Sequence, residues 1–446
     1  MKDLTQGSIL RHIVSMAVPM MFGMLVQTLY FMVDLYFVSK LGDASIAGVS
    51  SAGNFTLAVM ALTQVVGVGT VALIAHAAGA KDQKTANLVF NQSLLLAGSL
   101  GAVALIGGYL LVGPYTHLMA ADSATAAAGA AYLHAYIPGL ALQFSMVALG
   151  AALRGTGIVK PAMVVQFATV LVNIVLAPVL IAGCGTGHPL GVFGAGLAST
   201  LAVVVGNVLL YGYYRRLEKY VAFHPELWQP RISTWRRILN IGLPSGGEFL
   251  LLFTYSAVIY TLIRDFGPVA QAGYGIGSRL MQAIFLPAMA VSFAIAPVAG
   301  QNFGARNFGR VRETFRTGAL LGSTLMFALT LLCQWRAEAF VGGFTTEPAT
   351  LAIGADFLRT ISWNFTLSGF VFACSGIFQA LGNTWPGVWA SATRLVTFVG
   401  PALWLSTRPG FRIEHIWYAS VTTVFLQAVI AGLLVRREFG RRLRSA

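Results

Sequence analysis

Of the 15 acidic residues in the chain, only Asp34 and Glu248 fall well inside long apolar stretches. A charge at the centre of a membrane helix costs about 2.5–3.5 kcal/mol or more on insertion scales. A carboxyl group kept at that cost can bind and release a proton or hold a cation, since either event removes the isolated charge. Gln27, Tyr30 and Tyr36 are close enough in sequence to share the surroundings of Asp34. Glu248 closes the run Pro244-Ser245-Gly246-Gly247-Glu248 and has two candidate partners of opposite charge, Arg279 and Arg394. It either receives a cationic substrate or pairs with one of these arginines. Arg279 lies in an otherwise uncharged segment, where an ion pair is its expected role.

Other chemistry finds no support. Cys184, Cys333 and Cys374 have neither pairing nor metal-ligand spacing, and His76, His117 and His134 form no ligand set. Phosphate-binding loops, nucleophile elbows and metal motifs are absent from the sequence, so no enzyme activity, metal or cofactor is expected.

The elements that carry the two acids follow from composition. Hydrophobic residues make up 57% of the 446 residues and charged residues 10%, too few to clothe a water-soluble domain. Residues 44–75, 86–116, 161–187 and 280–305 contain no Lys, Arg, Asp or Glu. About 20 apolar residues cross the hydrocarbon layer as a helix, whereas barrel strands need only about 10. The pattern predicts an all-α membrane protein with 12 spans, the first over 13–38 and the last over 414–435. No short leader with a cleavage site precedes the first span, which is expected to stay. That first span would be about 39 Å long as a helix. Asp34, four residues from its outer end, then belongs to the outer leaflet, either facing headgroups or enclosed by other helices.

Basic residues fix the orientation. With the N-terminus in the cytoplasm, 21 Lys and Arg face inward and 5 face outward. The positive-inside rule requires that bias and rejects the inverse. The net charge of +14 therefore sets topology and meets membrane lipid instead of nucleic acid.

Residues 225 apart match in order: Arg11 with Arg236, Ile13 with Ile238, Pro19 with Pro244, and Gly42 with Gly267. Gly79-Ala80-Lys81 matches Gly304-Ala305-Arg306, Phe90 matches Phe315, and Pro161 matches Pro386. Each half thus holds six spans, and an even number gives both halves the same orientation, a parallel repeat. The expected layout is an N-terminal lobe 1–214, a cytoplasmic linker 215–237 and a C-terminal lobe 238–446. Two pseudo-symmetric six-helix bundles suit alternating access. Pro19 weakens its helix by removing a backbone hydrogen bond; the kink is either a switch tied to Asp34 or, as the matching Pro244 suggests, architectural.

Several of these residues resemble a known family. Ala17-Val18-Pro19, Asp34, Leu41-Gly42-Asp43 and Ala47-Gly48-Val49 are similar to the first helix and loop of multidrug and toxic compound extrusion (MATE) transporters. Gly79-Ala80-Lys81-Asp82, Leu153-Arg154-Gly155-Thr156-Gly157 and Gln379-Ala380-Leu381-Gly382-Asn383 resemble its turns, so the likeness spans nearly the whole chain. The resemblance implies a monomeric inner-membrane antiporter, with both termini cytoplasmic, that exports amphipathic organic cations and drugs. It implies that Asp34 is the coupling acid, that Pro19 bends the first helix, and that Asn173 and Ser199 join the network. The family often carries Asp four residues after the asparagine; here Asn173 is followed by Ala177, and the seventh-helix glutamate of some branches falls on Leu252. With one carboxylate, proton coupling is favoured and sodium is the alternative. A flippase for a lipid-linked precursor is a third reading, disfavoured by the scarcity of cations within the spans.

Overall fold

A computed structural model describes residues 1–120, 122–185 and 187–443, the side chain of Phe31 excepted. Arg444, one of the 21 cations assigned above to the inner side, lies outside the described residues. Unit 1 comprises Met1–Asp3 and Phe22–Gly242, and unit 2 comprises Leu4–Met21 and Leu243–Ala446. Among the described residues the chain forms α1 (Ile9–Ser39), α2 (Asp43–Gly79), α3 (Gln83–Met119), α4 (Ser123–Gly155), α5 (Lys160–Ala182) and α6 (Gly191–Arg216). The second half forms α7 (Ile232–Arg264), α8 (Pro268–Gly304), α9 (Phe308–Gly342), α10 (Pro348–Ala380), α11 (Trp385–Ser406) and α12 (Ile413–Arg442). All 12 are long and apolar enough to cross a bilayer, which bears out the expected all-α fold. Most helices run past the apolar stretches that announced them, because helical hydrogen bonding continues into the polar flanks where hydropathy falls.

The halves repeat in packing as well as in sequence. In unit 1, α4 packs on α2, α3 and α6, and α5 packs on α6; in unit 2, α10 packs on α8, α9 and α12, and α11 packs on α12. Glycines permit the closest crossings. A Cβ on Gly129 would stand 3.2 Å from the Gly48 carbonyl, and one on Gly354 would stand 3.2 Å from the Gly273 carbonyl, positions related by the same offset of 225. Phe90 stacks on Tyr214 in unit 1, and their counterparts Phe315 and Phe439 meet edge to face in unit 2.

The turns after α2 and α8 are built alike. Lys81 and Arg306, a repeat pair, both adopt φ of 57° just past α2 and α8. Asp82 N donates to Ala77 O at 2.9 Å and Asn307 N to Asn302 O at 2.8 Å, closing both helix ends. A left-handed conformation costs a side-chain-bearing residue about 1–2 kcal/mol, and both halves accept that cost at the same place. Asp82 then caps α3, accepting from the Thr85 amide at 3.0 Å and its hydroxyl at 2.6 Å. Those two donors hold the Asp82 carboxyl below the usual carboxylate range.

The units differ from the expected lobes 1–214 and 238–446 at two helices. Residues 4–21, which open α1, belong to unit 2, and residues 232–242 of α7 belong to unit 1. Each changeover falls within a turn of a proline, Pro19 or Pro244, where the helix lacks one backbone bond. Within unit 1 the start of α7 lies backbone to backbone on α2: a Cβ on Gly242 would overlap the Val65 carbonyl, and one on Gly69 the Ile238 carbonyl. Gly242→Ala is therefore expected to lower the melting temperature of the purified protein by several degrees, about 1–3 kcal/mol of overpacking. Gly53→Ala, where a Cβ meets nothing within 4 Å, should leave it unchanged.

Candidate functional site

Asp34 is enclosed, not interfacial: only 4% of its surface remains accessible. Its helix face explains the company it keeps. Residues four apart share a face, so Tyr30 lies with Asp34, whereas a residue two positions on points to the far side. Tyr132 on α4 donates its hydroxyl to Asp34 Oδ2 at 3.2 Å. Tyr136, one turn further along α4, sets its ring 5.5 Å from that of Tyr132 and accepts from Gln143 Nε2 at 3.3 Å. Asn173 on α5 donates to the Tyr30 hydroxyl at 3.3 Å and to Ser199 Oγ on α6 at 3.4 Å. Four helices of unit 1 thus gather one carboxyl, three phenols, one amide and one hydroxyl in a buried layer. Ala177, at the place of the absent second acid, is wholly buried and adds only a methyl group.

The layer is not fully satisfied. Asp34 Oδ1 and Asn173 Oδ1 are buried and have no hydrogen-bond partner among the described residues. A buried charged oxygen without a donor is costly, so an ionised Asp34 in this arrangement calls for a proton or another cation.

The structure places the expected network residues unequally. Asp34, Asn173 and Ser199 do come together, Asn173 bonding Ser199 and the neighbouring Tyr30. Gln27 lies two turns before Asp34 on α1 and accepts from Gln166 Nε2 at 2.8 Å, one layer away from the carboxyl. Tyr36 does not belong to the network, and this expectation is corrected: its side chain is 59% exposed, with the Lys40 ammonium 4.6 Å above its ring. The reason is angular, because two residues along a 3.6-residue turn rotate a side chain by about 200°. Tyr132 and Tyr136 escaped the sequence reading, although tyrosines four apart in an apolar span were a visible signal of a shared polar face. Pro19 lies inside an unbroken α1.

In unit 2, Glu248 accepts from Ser391 Oγ at 3.3 Å and Ser375 Oγ at 3.4 Å, and Gln427 donates to Ser391 at 3.3 Å. No ion pair joins Glu248 to Arg279 or Arg394 among the described residues, so hydroxyls replace the arginine partner considered above. Arg279 is exposed, and Arg394 sits 4.2 Å over the ring of Tyr255. The places equivalent to Tyr30, Asp34, Tyr132, Asn173 and Ser199 are Tyr255, Ile259, Phe357, Phe398 and Val424. All five are buried, and four of them are purely apolar. The repeat thus holds a polar site in one unit and packed core at the same place in the other.

Twelve membrane helices in a parallel repeat, with an acid enclosed by a polar network in unit 1, define a transporter of the two-bundle type. The MatE family model matches residues 19–179 and 244–403, once in each half, and the chain belongs to that family, the multidrug and toxic compound extrusion transporters. "Probable multidrug resistance protein YoeA" of Bacillus subtilis (strain 168) is 25% identical over 394 residues, 86% of this chain and 84% of that protein. "Multidrug export protein MepA" of Staphylococcus aureus (strain MRSA252) is 25% identical over 383 residues, 85% of this chain and 83% of that protein. A structure described as the outward-facing conformation of a multidrug resistance MATE family transporter of the MOP superfamily superposes with a TM-score of 0.91 at 25% identity. It covers 99% of this chain and 98% of its own.

Tyr132→Phe removes the one hydroxyl that reaches Asp34 among the described residues and keeps the ring. Export is expected to fall about tenfold, the worth of a hydrogen bond to a charged group, with the melting temperature lowered by no more than a few degrees for the orphaned oxygen. Tyr36→Phe should leave export at the wild-type rate; dye-efflux assays on both variants provide the check.

Proposed function

We propose that this protein is a proton-coupled antiporter that exports amphipathic organic cations, with Asp34 as the coupling carboxylate. The single observation that carries the reading is the enclosure of Asp34 with one hydroxyl donor and one oxygen left over. Such a group is tolerable in a dry bundle only when something neutralises it. A proton does so in one state and leaves in the other, which ties proton movement to the conformational cycle. The relatives named for multidrug resistance and multidrug export support drugs as the cargo. Ala177 in place of a second acid supports one proton-accepting group over a multi-carboxylate ion site. Bending of α1 at Pro19 would be the mechanical response, since the helix is weakest there.

Sodium is the second reading, favoured by one specific feature. Asp34 Oδ1 and Asn173 Oδ1, the two oxygens of this layer without donors among the described residues, are the atoms that could replace part of a cation's hydration shell. Proteoliposomes loaded with an organic dye and given separate proton and sodium gradients decide between them. Dye efflux is expected under the proton gradient alone, and Asp34→Asn should reduce it to the rate of protein-free vesicles while the protein stays folded. Efflux driven only by sodium would transfer the coupling to that ion, and undiminished efflux from Asp34→Asn would reject the carboxylate altogether.

We further propose a cytoplasmic-membrane location with both termini inside. Cys184, in the loop between α5 and α6, is exposed, and Cys333 and Cys374 are buried. A membrane-impermeant maleimide should therefore label intact cells at Cys184 only, and Cys184→Ser should abolish the signal. Labelling that appears only after permeabilisation would invert the orientation.

A further inference from the structure

We propose that the linker 215–237, which joins α6 to α7 and includes the last residues of one and the first of the other, is a preformed binding surface for anionic phospholipid headgroups. The loop is held along its length by side-chain amides of α3, all within unit 1. Gln83, Asn87 and Asn91 stand four residues apart on one face of that helix and meet alternate residues of the linker. Gln83 Nε2 donates to Tyr220 O at 2.8 Å, Asn87 Oδ1 accepts from Ala222 N at 2.7 Å, and Asn91 Oδ1 accepts from His224 N at 3.0 Å. Four helical residues advance about 6 Å and two extended residues about 6.6 Å, so the two ladders stay in step. Gln92 completes the grip: it donates to Leu227 O at 2.6 Å and Gln229 O at 2.8 Å and accepts from Arg231 N at 2.8 Å. Asn91 and Gln92 are both 0% exposed, so these bonds are sheltered from water.

What the clasp displays outward is basic and apolar. Arg215, Arg216, Lys219, Arg231, Arg236 and Arg237 are all exposed, and none has an acidic partner among the described residues. The acids of the linker are already engaged: Glu218 accepts from Tyr220 N at 2.8 Å, and Glu226 meets His224 Nδ1 at 3.1 Å. Between the cations stand Leu217 and Ile232, each 67% exposed, and the ring of Trp228, 51% exposed although its Nε1 is fixed to Asn91 Oδ1 at 2.8 Å. Cations interleaved with exposed apolar side chains, at the ends of membrane spans, match the phosphate and glycerol depth of a bilayer. A nucleic acid would satisfy the charges but not the three apolar groups. Because the loop is already ordered, a headgroup binds without first fixing the backbone.

The surface rests on the twelve-span fold; the proposed orientation decides only which leaflet supplies the lipid. The full-length protein is reconstituted in nanodiscs of mixed phosphatidylglycerol and phosphatidylcholine, then extracted gently, and retained lipid is counted by native mass spectrometry. Discs offer both lipids to both faces, so this result is independent of orientation in the cell, which Cys184 labelling reads separately. The wild type is expected to retain phosphatidylglycerol selectively. Arg215→Gln/Arg216→Gln/Arg236→Gln/Arg237→Gln should lose at least tenfold of that selectivity, given about fivefold per cation near a membrane surface. Arg436→Gln/Arg437→Gln/Arg441→Gln, which neutralises exposed cations of the tail, should keep it. Asn91→Ala preserves every charge and loosens the loop, and should lose selectivity several-fold. Wild-type retention in the linker quadruple variant, equal loss in the tail variant, or full retention in Asn91→Ala would each overturn the proposal.

Discussion

The dehydration of one carboxylate is the constraint on which the rest of this structure depends. Asp34 has left water for a layer made of Tyr30, Tyr132, Asn173 and Ser199, and among the described residues only the Tyr132 hydroxyl reaches it. An isolated charge there would cost several kcal/mol, which gives the bundle a preference between its protonated and ionised forms. The cationic cargo proposed above would change that preference, because it would offer the carboxylate another way to be neutral. Under the proposed proton coupling, exchange would need no elaborate relay, only exclusion of water and mutually exclusive neutralisation by proton and cargo.

The repeat shows how narrow that requirement is. Both units use the same helix pairings and the same glycine crossings at Gly48–Gly129 and Gly273–Gly354. The scaffold is therefore indifferent to the chemistry placed in it. At the five places of the network, unit 2 keeps the tyrosine as Tyr255, bonded to Ser420 at 2.7 Å, and fills the remainder with Ile259, Phe357, Phe398 and Val424. Glu248 breaks the symmetry in the other direction, since its counterpart is Gly23. One duplicated frame thus carries two different polar sites: the Asp34 layer, whose equivalent places in unit 2 are mostly apolar core, and the Glu248 cluster, whose equivalent places in unit 1 are Gly23, Gly150, Gln166 and Ala202.

Much of this was legible in the sequence because membrane proteins obey a harsh solvent. Long uncharged runs had to be helices, basic residues had to gather on one side, and a single offset tied Pro19 to Pro244 and Lys81 to Arg306. Asp34 stood out because an acid in an apolar run is rarely idle, and the family likeness led to Asn173 and Ser199. The resemblance could not supply the exchange of the first turns of α1 and α7 between units, which follows from tertiary packing around the two prolines. Nor did proximity along the chain identify partners: Tyr36, two residues from Asp34, faces away, whereas Tyr132, 98 residues distant, touches it. The α3 amides that hold the linker were hidden for the same reason, as Asn87, Asn91 and Gln92 gain meaning only when residues more than a hundred positions away lie beside them.

The most direct test of the central claim is proton release on cargo binding. Purified protein in weakly buffered solution is mixed with a saturating organic cation while proton appearance is followed with a pH-sensitive dye. The account expects about one proton per chain from the wild type, since cargo and proton neutralise the same carboxylate, and none from Asp34→Asn. Equal release from both proteins, or cargo binding by the wild type with no release at all, would contradict it.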